Sequence, residues 1–192
     1  MKKILYLASK NNGKILEYKK MLSNVNCQFR LQPKSIEVQE DGLSFQENAF
    51  KKARQVSKKT TNYAIADDSG LCINSLDGAP GIYSSRFAEN DQKRIKKVLN
   101  ELEGVHNREA FFMASICLFS PKGELIISSE GRCDGNILFQ PRGNNGFGYD
   151  PIFEEKTTKL TFAEMTNDYK EIYSHRARAL KKIIPCLMRI FN

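Results

Sequence analysis

Apolar and polar positions along the chain alternate in blocks that predict strands and helices in turn. Residues 4–8 form a short apolar run typical of a buried strand, and a polar segment follows at 9–13. From Lys14 onward the apolar side chains recur at helical spacing, at Ile15, Tyr18, Met21 and Leu22. The first residues therefore predict a strand, a loop and a helix.

A second helix is predicted to begin at Ser44, because Ser44-Phe45-Gln46-Glu47 has the spacing of a capping box. Residues 63–66 read as a strand that ends at Asp67-Asp68-Ser69-Gly70, a composition typical of a tight turn. A third amphipathic helix carries its apolar residues between Ile95 and Leu102.

The remaining chain predicts strands at 110–119 and 124–129, joined by a turn at Pro121-Lys122-Gly123, with 131–138 continuing into a further strand. The stripe from Ala177 to Phe191 predicts a last helix, which Pro185 should kink or split because proline removes a backbone donor. Helices alternating with strands, followed by a meander of strands, indicate an α/β (mixed α+β) fold with a mixed sheet. We expect a single domain over residues 1–192.

Composition narrows the class of protein. Hydrophobic residues make up 41% of the chain and charged residues 27%, which excludes a disordered chain, a collagen-like repeat and a polytopic membrane protein. The five cysteines form no C-x-x-C pair, which favours reduced thiols and a cytoplasmic protein without structural zinc. The apolar run near the start stops before Ser9-Lys10, shorter than the core of a usual signal peptide.

The net charge of +8 indicates an anionic partner without choosing among phosphates, nucleic acids and acidic membranes. Segment 9–14, Ser9-Lys10-Asn11-Asn12-Gly13-Lys14, lies between a predicted strand and a predicted helix. Unpaired amides at a helix N-terminus together with serine, asparagine and lysine donors suit a phosphate chain, although the segment is not a Walker A loop. An ordinary polar turn capping the helix is the alternative.

Carboxylates provide a second candidate site. Asp67-Asp68 could hold Mg²⁺, and one of the two could accept a proton from an attacking water. Glu40-Asp41-Gly42 is a further acidic turn, and Glu40 becomes a second metal ligand if it faces Asp68. The alternative for each segment is a tight turn without chemistry.

Two further segments suit a nucleoside. Gly146-Phe147-Gly148-Tyr149-Asp150-Pro151 would let a flat ligand approach the phenylalanine ring, with Asp150 as an acceptor for base or sugar. Ser174-His175-Arg176, after Lys170, suits an anion or a purine oxygen. A glycine-rich hairpin with core aromatics and a structural histidine are the alternatives.

Taken in order, these segments resemble the inosine triphosphate pyrophosphatase family, which hydrolyses non-canonical purine nucleoside triphosphates. The resemblance covers nearly the whole chain. Its motifs are S-K-N-N-G-K at 9–14, E-D-G-L-S-F-Q-E-N-A-F-K-K-A at 40–53, A-D-D-S-G-L at 66–71, G-A-P-G-I-Y-S-S-R at 78–86, R-E-A-F-F at 108–112, G-R-C-D-G-N-I at 131–137, G-F-G-Y-D-P at 146–151 and S-H-R at 174–176.

The resemblance implies roles for individual residues. Asp68, with Glu40, would hold Mg²⁺, and Asp68 would also be the base that activates water. The substrate would be a small-molecule nucleoside triphosphate such as ITP, dITP or XTP, with Lys14 and Lys52 neutralising its phosphates and Phe147 stacking on its purine. The implied substrate-binding set comprises Ser9, Lys10, Asn11, Asn12, Gly13, Lys14, Lys52, Ser69, Phe147, Gly148, Tyr149, Asp150, Lys170, His175 and Arg176.

The resemblance also implies a long twisted mixed sheet with flanking helices, two lobes around a central cleft, and a homodimer. Two positions depart from the family pattern: Lys10 replaces a usual glycine, and Ala177 follows Ser174-His175-Arg176 where glycine is common.

Two other functions compete with this assignment. A related nucleotide diphosphatase group of septum-inhibitor type shares the fold, but it continues after Leu-Ala-Ser with proline and paired arginines, unlike Lys10-Asn11. A basic nucleic-acid-binding module is disfavoured by the acidic turns and by the lack of an RNA-binding signature. We therefore expect neither a nucleic acid nor a membrane as partner.

Overall fold

The computed structural model describes residues 2–192, which form six strands and five α-helices. The strands are β1 (Ile4–Leu7), β2 (Gln28–Leu31), β3 (Tyr63–Ile73), β4 (Glu109–Phe119), β5 (Leu125–Ile137) and β6 (Phe153–Glu155). The helices are α1 (Asn12–Met21), α2 (Phe45–Thr60), α3 (Asp91–Glu101), α4 (Asn167–Tyr173) and α5 (His175–Phe191). No helix among these residues is long and apolar enough to cross a membrane.

The mixed α/β class predicted from the sequence is confirmed. All six strands belong to one sheet in the order β2-β1-β3-β4-β5-β6. β1 pairs in parallel with β2 and β3, whereas β6 pairs antiparallel to β5, so the sheet is mixed.

The capping prediction for α2 is also confirmed. The Ser44 side chain accepts a hydrogen bond from the backbone N–H of Glu47 at 3.1 Å, and the Glu47 carboxylate accepts from the N–H of Leu43 at 2.8 Å. These reciprocal bonds satisfy donors that a helix leaves unpaired at its start. The capping bonds fix the residue at which α2 begins, the helix that carries Asn48 and Lys52.

The predicted end of the strand at Asp67-Asp68-Ser69-Gly70 is wrong, because β3 continues through these residues to Ile73, which also rules out the alternative of a tight turn there. Turn-forming residue types were overridden by tertiary pairing, since β3 lies inside the sheet with neighbours on both sides. The strand geometry matters for the site, because successive side chains on a strand point to opposite faces of the sheet.

Three other elements differ from expectation. The strands predicted at 124–129 and 131–138 are one strand, β5. Pro185 does not split the last helix, which runs from His175 to Phe191. Strands β2 and β6 and helix α4 were missed, since they have only four, three and seven residues and too little periodicity to detect.

The chain divides into two compact units. The first comprises residues 2–68, 114–131 and 178–192, and the second comprises 69–113 and 132–177. In the first unit the strands bury apolar residues on both faces. Leu5, Leu7 and Ile65 belong to the core cluster that contains α1 and α5 residues, and Ala64 and Ala66 belong to the cluster that contains Ala49, Ala53 and Val56 of α2.

The second unit has a core of its own, rich in aromatic side chains. Phe112 packs edge-on against Phe153 with ring centroids 4.8 Å apart, and it stacks on Phe162 at 5.5 Å. Val98 and Leu102 join the same core cluster from α3 and the residue that caps it. This core supports the segments that carry Phe147 and His175.

Candidate active site

Strand β3 brings Asp67 and Asp68 to opposite faces of the sheet. Asp67 follows Ile65 on the face covered by α1, and Asp68 follows Ala66 on the face covered by α2. Both carboxylates are buried, with Asp67 wholly inaccessible and Asp68 6% exposed. Each therefore needs a positive or hydrogen-bonding partner, because an isolated buried charge is strongly unfavourable.

Lys14, in the first turn of α1, is the partner of Asp67. Its Nζ lies 3.2 Å from Asp67 Oδ2, and its side chain is 12% exposed. Asn11 caps α1 by accepting from the Lys14 N–H at 3.0 Å, and the Asn11 N–H donates to Ser9 Oγ at 3.2 Å. The helix has no acidic residue in its first turn, so its N-terminus remains attractive to anions.

Lys10 lies apart from these contacts. Its ammonium pairs with Glu37 at 3.4 Å, and both side chains are largely exposed. Such an exposed pair adds little to stability and is easily exchanged for another anion.

Lys52, on α2, is buried between carboxylates. Its Nζ lies 2.9 Å from Asp68 Oδ1 and 3.2 Å from Glu40 Oε1. Burial alone would lower the pKa of Lys52, but the nearby carboxylates of Asp68, Glu40 and Asp67 outweigh it and raise that pKa above its usual value. Lys14, Lys52, Glu40, Asp67 and Asp68 are referred to below as the carboxylate–lysine cluster.

Asn48 was not singled out from the sequence, yet it contacts the same cluster. Its Nδ2 donates to Asp68 Oδ2 at 3.2 Å, and its Oδ1 accepts from the Gly42 N–H at 2.8 Å. Asn48 precedes Lys52 by four residues, and that spacing places both side chains on one face of α2. The spacing was visible in the sequence, but the partner of the amide was not.

A second group of polar side chains lies in the second unit, around Asp150. Asp150 Oδ2 accepts from Lys170 Nζ at 2.6 Å and from the Phe147 N–H at 2.8 Å. The Lys170 ammonium also lies over the half-buried Phe147 ring, 5.0 Å from its centroid. A Cβ at Gly146 would collide with Asp150 Oδ2, so only glycine allows this turn to close around the carboxylate.

His175 and Arg176 open helix α5, which Ser174 caps by accepting from the Ala177 N–H at 3.2 Å. The buried Arg176 guanidinium donates to Ser69 Oγ at 2.9 Å and lies 6.0 Å from the Phe147 ring centroid. The His175 ring stacks on Phe112 at 4.7 Å. Phe147, Asp150, Lys170, His175 and Arg176 are referred to below as the aromatic–basic cluster.

The segment between Phe147 and Asp150 is held by two contacts that the sequence did not indicate. The Gly148 N–H donates to Asp91 Oδ2 at 2.7 Å, and the Tyr149 hydroxyl donates to the carbonyl of Ser84 at 2.8 Å. Burial raises the pKa of Tyr149, so its hydroxyl stays protonated as a donor. Tyr149 is therefore part of the core in this structure.

The carboxylate oxygens around Asp68 are suitable ligands for a hard divalent cation. Glu40 and Asp68 offer carboxylate oxygens, and the positive charge of Lys52 already lies within reach of both. Within residues 2–192 no three His, Cys, Asp or Glu side chains gather closely enough to form a metal cage. Two carboxylates completed by substrate phosphates and water are the arrangement that Mg²⁺ commonly takes. The predicted ligands therefore fit Mg²⁺ chemically.

Lysines paired with buried carboxylates, one of them in the first turn of a helix, in a mixed α/β fold, suit an enzyme that acts on phosphate groups. Comparison with known proteins identifies the group. The sequence matches the Ham1 family over residues 5–186, and the chain belongs to that family.

Similar proteins carry a consistent name. The chain is 68% identical to the dITP/XTP pyrophosphatase of Prochlorococcus marinus subsp. pastoris over 100% of both chains. It is 48% identical to the dITP/XTP pyrophosphatase of a Synechocystis species over 94% of this chain and 93% of that protein. These names confirm the resemblance found in the sequence.

Solved structures agree with the fold. A HAM1 protein from Coxiella burnetii superposes with a TM-score of 0.88 at 38% identity, covering 97% of this chain and 99% of that one. The Ham1 protein of Staphylococcus aureus gives a TM-score of 0.84 at 34% identity, covering 98% of this chain and 100% of the other.

Proposed function

We propose that this protein is an enzyme that hydrolyses non-canonical purine nucleoside triphosphates, dITP, ITP and XTP, to the monophosphate and pyrophosphate. The observation that carries the proposal is the carboxylate–lysine cluster, in which Asp68 is held by Lys52 and Asn48. Relatives named dITP/XTP pyrophosphatase, similar over nearly their whole length, supply the substrate class.

In this proposal Asp68 and Glu40 hold Mg²⁺. When bound, the ion would neutralise charge that develops on the phosphates and draw the triphosphate into position. Lys52 and Lys14 add positive charge for the same phosphates. Donors of segment 9–14 at the start of α1 (Ser9, Lys10, Asn11, Asn12 and Gly13) complete the phosphate site.

Asp68 acts as the general base. It orients a water molecule and accepts its proton as the water oxygen attacks the phosphorus nearest the nucleoside. The bond from that phosphorus to the bridging oxygen breaks, and pyrophosphate leaves with the electron pair. Such transfer depends on positioning and charge stabilisation, so no covalent nucleophile is required.

The aromatic–basic cluster would recognise the base. Phe147 stacks on the purine, which Gly148 lets approach closely. Asp150, Lys170, His175 and Arg176 contact the base and the phosphates, with donors directed toward the 6-oxo group. Ser69 and Tyr149 complete the proposed substrate-binding set. Donors facing the 6-position favour 6-oxo purines such as hypoxanthine and xanthine and leave the amino group of adenine without an acceptor. Guanine is also a 6-oxo purine, so discrimination against GTP has to act on its 2-amino group.

The proposal extends to the setting of the enzyme. We expect all 192 residues to act as one cytoplasmic catalytic domain, to assemble as a homodimer, and to use neither nucleic acid nor membrane as a partner. The net charge of +8 supports attraction of an anionic substrate. Hydrolysis of these triphosphates would remove them from the nucleotide pool.

The test is the release of pyrophosphate from ITP, dITP, XTP, GTP and ATP, each with Mg²⁺ and with EDTA. We expect metal-dependent release from the first three and little from GTP and ATP. Asp68→Asn serves as the control for catalysis by a contaminant. No release from any of the five, or equal release from ATP, would contradict the proposal.

A further inference from the structure

Asn48 is a fully buried polar side chain whose amide nitrogen and amide oxygen both make hydrogen bonds. Its Nδ2 donates to Asp68 Oδ2 at 3.2 Å, and its Oδ1 accepts from the backbone N–H of Gly42 at 2.8 Å. A buried amide is costly unless its hydrogen bonds are made. This side chain makes one with each of its functional atoms, to two different segments of the first unit.

Those two segments carry the two proposed metal ligands. Asp68 is itself one ligand, and Gly42 is two residues beyond Glu40, in a segment with no helix or strand of its own. A loop without backbone pairing takes its position from side chains that bind it. The short, stiff amide of Asn48 therefore ties the Glu40 segment to Asp68 from the rigid body of α2.

The contact between Asn48 and the backbone at position 42 requires a glycine there. A Cβ at position 42 would lie 2.7 Å from Asn48 Oδ1 and 2.9 Å from Glu47 Cβ, so a side chain there forces the segment away from α2. The close approach of Gly42 and the burial of Asn48 are separate observations that point to the same attachment.

Lys52 reaches the same pair of carboxylates from the next turn of α2, at 2.9 Å and 3.2 Å. Its ammonium ends a long flexible stem and carries charge, so it can follow the phosphates of a substrate. Asn48 is neutral and has two side-chain torsions, so it stays in place when the local charge changes. Lys52 thus supplies charge at the two carboxylates, whereas Asn48 fixes their positions.

We propose that Asn48 is a positioning residue that sets the separation of Glu40 and Asp68 for a divalent cation. This inference rests on the proposed function, because it assumes that these two carboxylates bind the metal. Partners in the outer shell of metal sites act in this way, and their loss typically lowers metal affinity by about 10-fold to 100-fold.

The test measures the binding of Mn²⁺ to the protein without nucleotide, by electron paramagnetic resonance. Asn48→Ala removes both bonds, and Gly42→Ala disturbs the attachment from its other side while leaving every proposed ligand intact. Val56→Ala, in the buried core of the same helix, is the control for general loss of stability. We expect the Kd for Mn²⁺ to rise about 10-fold in the first two variants and to stay unchanged in the third.

Steady-state kinetics give a second readout. In Asn48→Ala the Mg²⁺ concentration for half-maximal rate should rise, while KM for dITP at saturating Mg²⁺ stays near that of the wild type. If Asn48→Ala does not fold, Gly42→Ala tests the same attachment alone.

The outcomes separate the two proposals. A wild-type protein that releases no pyrophosphate from any nucleotide contradicts the proposed function. A wild-type protein that is active but binds no Mn²⁺, an unchanged Kd in both Asn48→Ala and Gly42→Ala, or an equal rise in Val56→Ala overturns the role of Asn48.

Discussion

Replacement of Lys52 by methionine tests the electrostatics of the carboxylate–lysine cluster most directly. The ammonium lies 2.9 Å from Asp68 and 3.2 Å from Glu40, and the residue is only 7% exposed. Methionine keeps the volume of the stem and removes the charge. The variant would leave buried negative charge without its nearest counter-ion.

The expected loss of stability follows from the uncompensated negative charge that the substitution leaves in the protein. Removing one partner of a buried ion pair typically costs about 3–5 kcal/mol, because the remaining charge is uncompensated. In a protein of this size each kcal/mol shifts the melting temperature by about 2–4 °C. We therefore expect Lys52→Met to lower the Tm by roughly 10 °C.

The assay is thermal unfolding with and without Mg²⁺, and the neighbouring Lys51 provides the matched control. Lys51 pairs with Asp41 at 2.6 Å, but both side chains are largely exposed, so Lys51→Met should change the Tm only slightly. A divalent cation restores positive charge beside Asp68 and Glu40. Mg²⁺ should therefore raise the Tm of Lys52→Met more than that of the wild type or of Lys51→Met.

The stability that Lys52 contributes should be lost at high pH. The pKa of Lys52 in the folded protein is raised above its usual value of 10.5. The ion pairs of Lys52 with Asp68 and Glu40 therefore make their full contribution to stability at a pH below 10.5. The contribution is lost as the pH rises through the folded-state pKa. The difference in Tm between wild type and Lys52→Met should stay constant from about pH 7 to about pH 9 and narrow above about pH 10.5. A Tm loss as small as that of Lys51→Met, or equal stabilisation of both variants by Mg²⁺, would refute the reasoning.

Three further predictions concern single side chains. Asp68→Asn should remain folded, as circular dichroism would show, but lose turnover because an amide neither accepts a proton nor binds Mg²⁺ well; near wild-type pyrophosphate release would remove Asp68 from that role. Phe147→Ala should raise KM for dITP more than it lowers kcat, since stacking contributes about 1–3 kcal/mol per base; an unchanged KM would assign Phe147 to the core. Burial raises the pKa of Cys72 to about 11, so iodoacetamide should leave this thiol unmodified near pH 8 in the native protein and modify it in the denatured one; rapid native modification would contradict the burial.

Local patterns were enough to predict α2 and its capping. Ser44 and Glu47 are close in sequence, and the apolar side chains of α2 repeat at the helical period, so neither depends on the rest of the chain. The same holds for β1 and β4. By contrast, β2 and β6 have no apolar run like that of β1, and pairing with β1 and β5 holds them in the sheet.

The motifs pointed to most of the side chains that the structure groups. Lys14, Lys52 and Asp68 were chosen for their chemistry, and each lies in the carboxylate–lysine cluster. Asn48 and Asp91 could not be identified in this way. The spacing places Asn48 on the helix face of Lys52, but an asparagine or an aspartate on a helix does not reveal its partner. Their importance comes from partners 20 and 57 residues away along the chain.

The sequence by itself determined the class of fold, the family, and the types of residue available for phosphate and metal chemistry, because these depend on periodicity and on ordered motifs. Tertiary structure alone decided how the adjacent Asp67 and Asp68 are used. Since β3 continues as a strand through both, one faces Lys14 on α1 and the other faces Lys52 and Asn48 on α2. A turn at that position would have left their directions open, and only pairing within the sheet fixes the alternation.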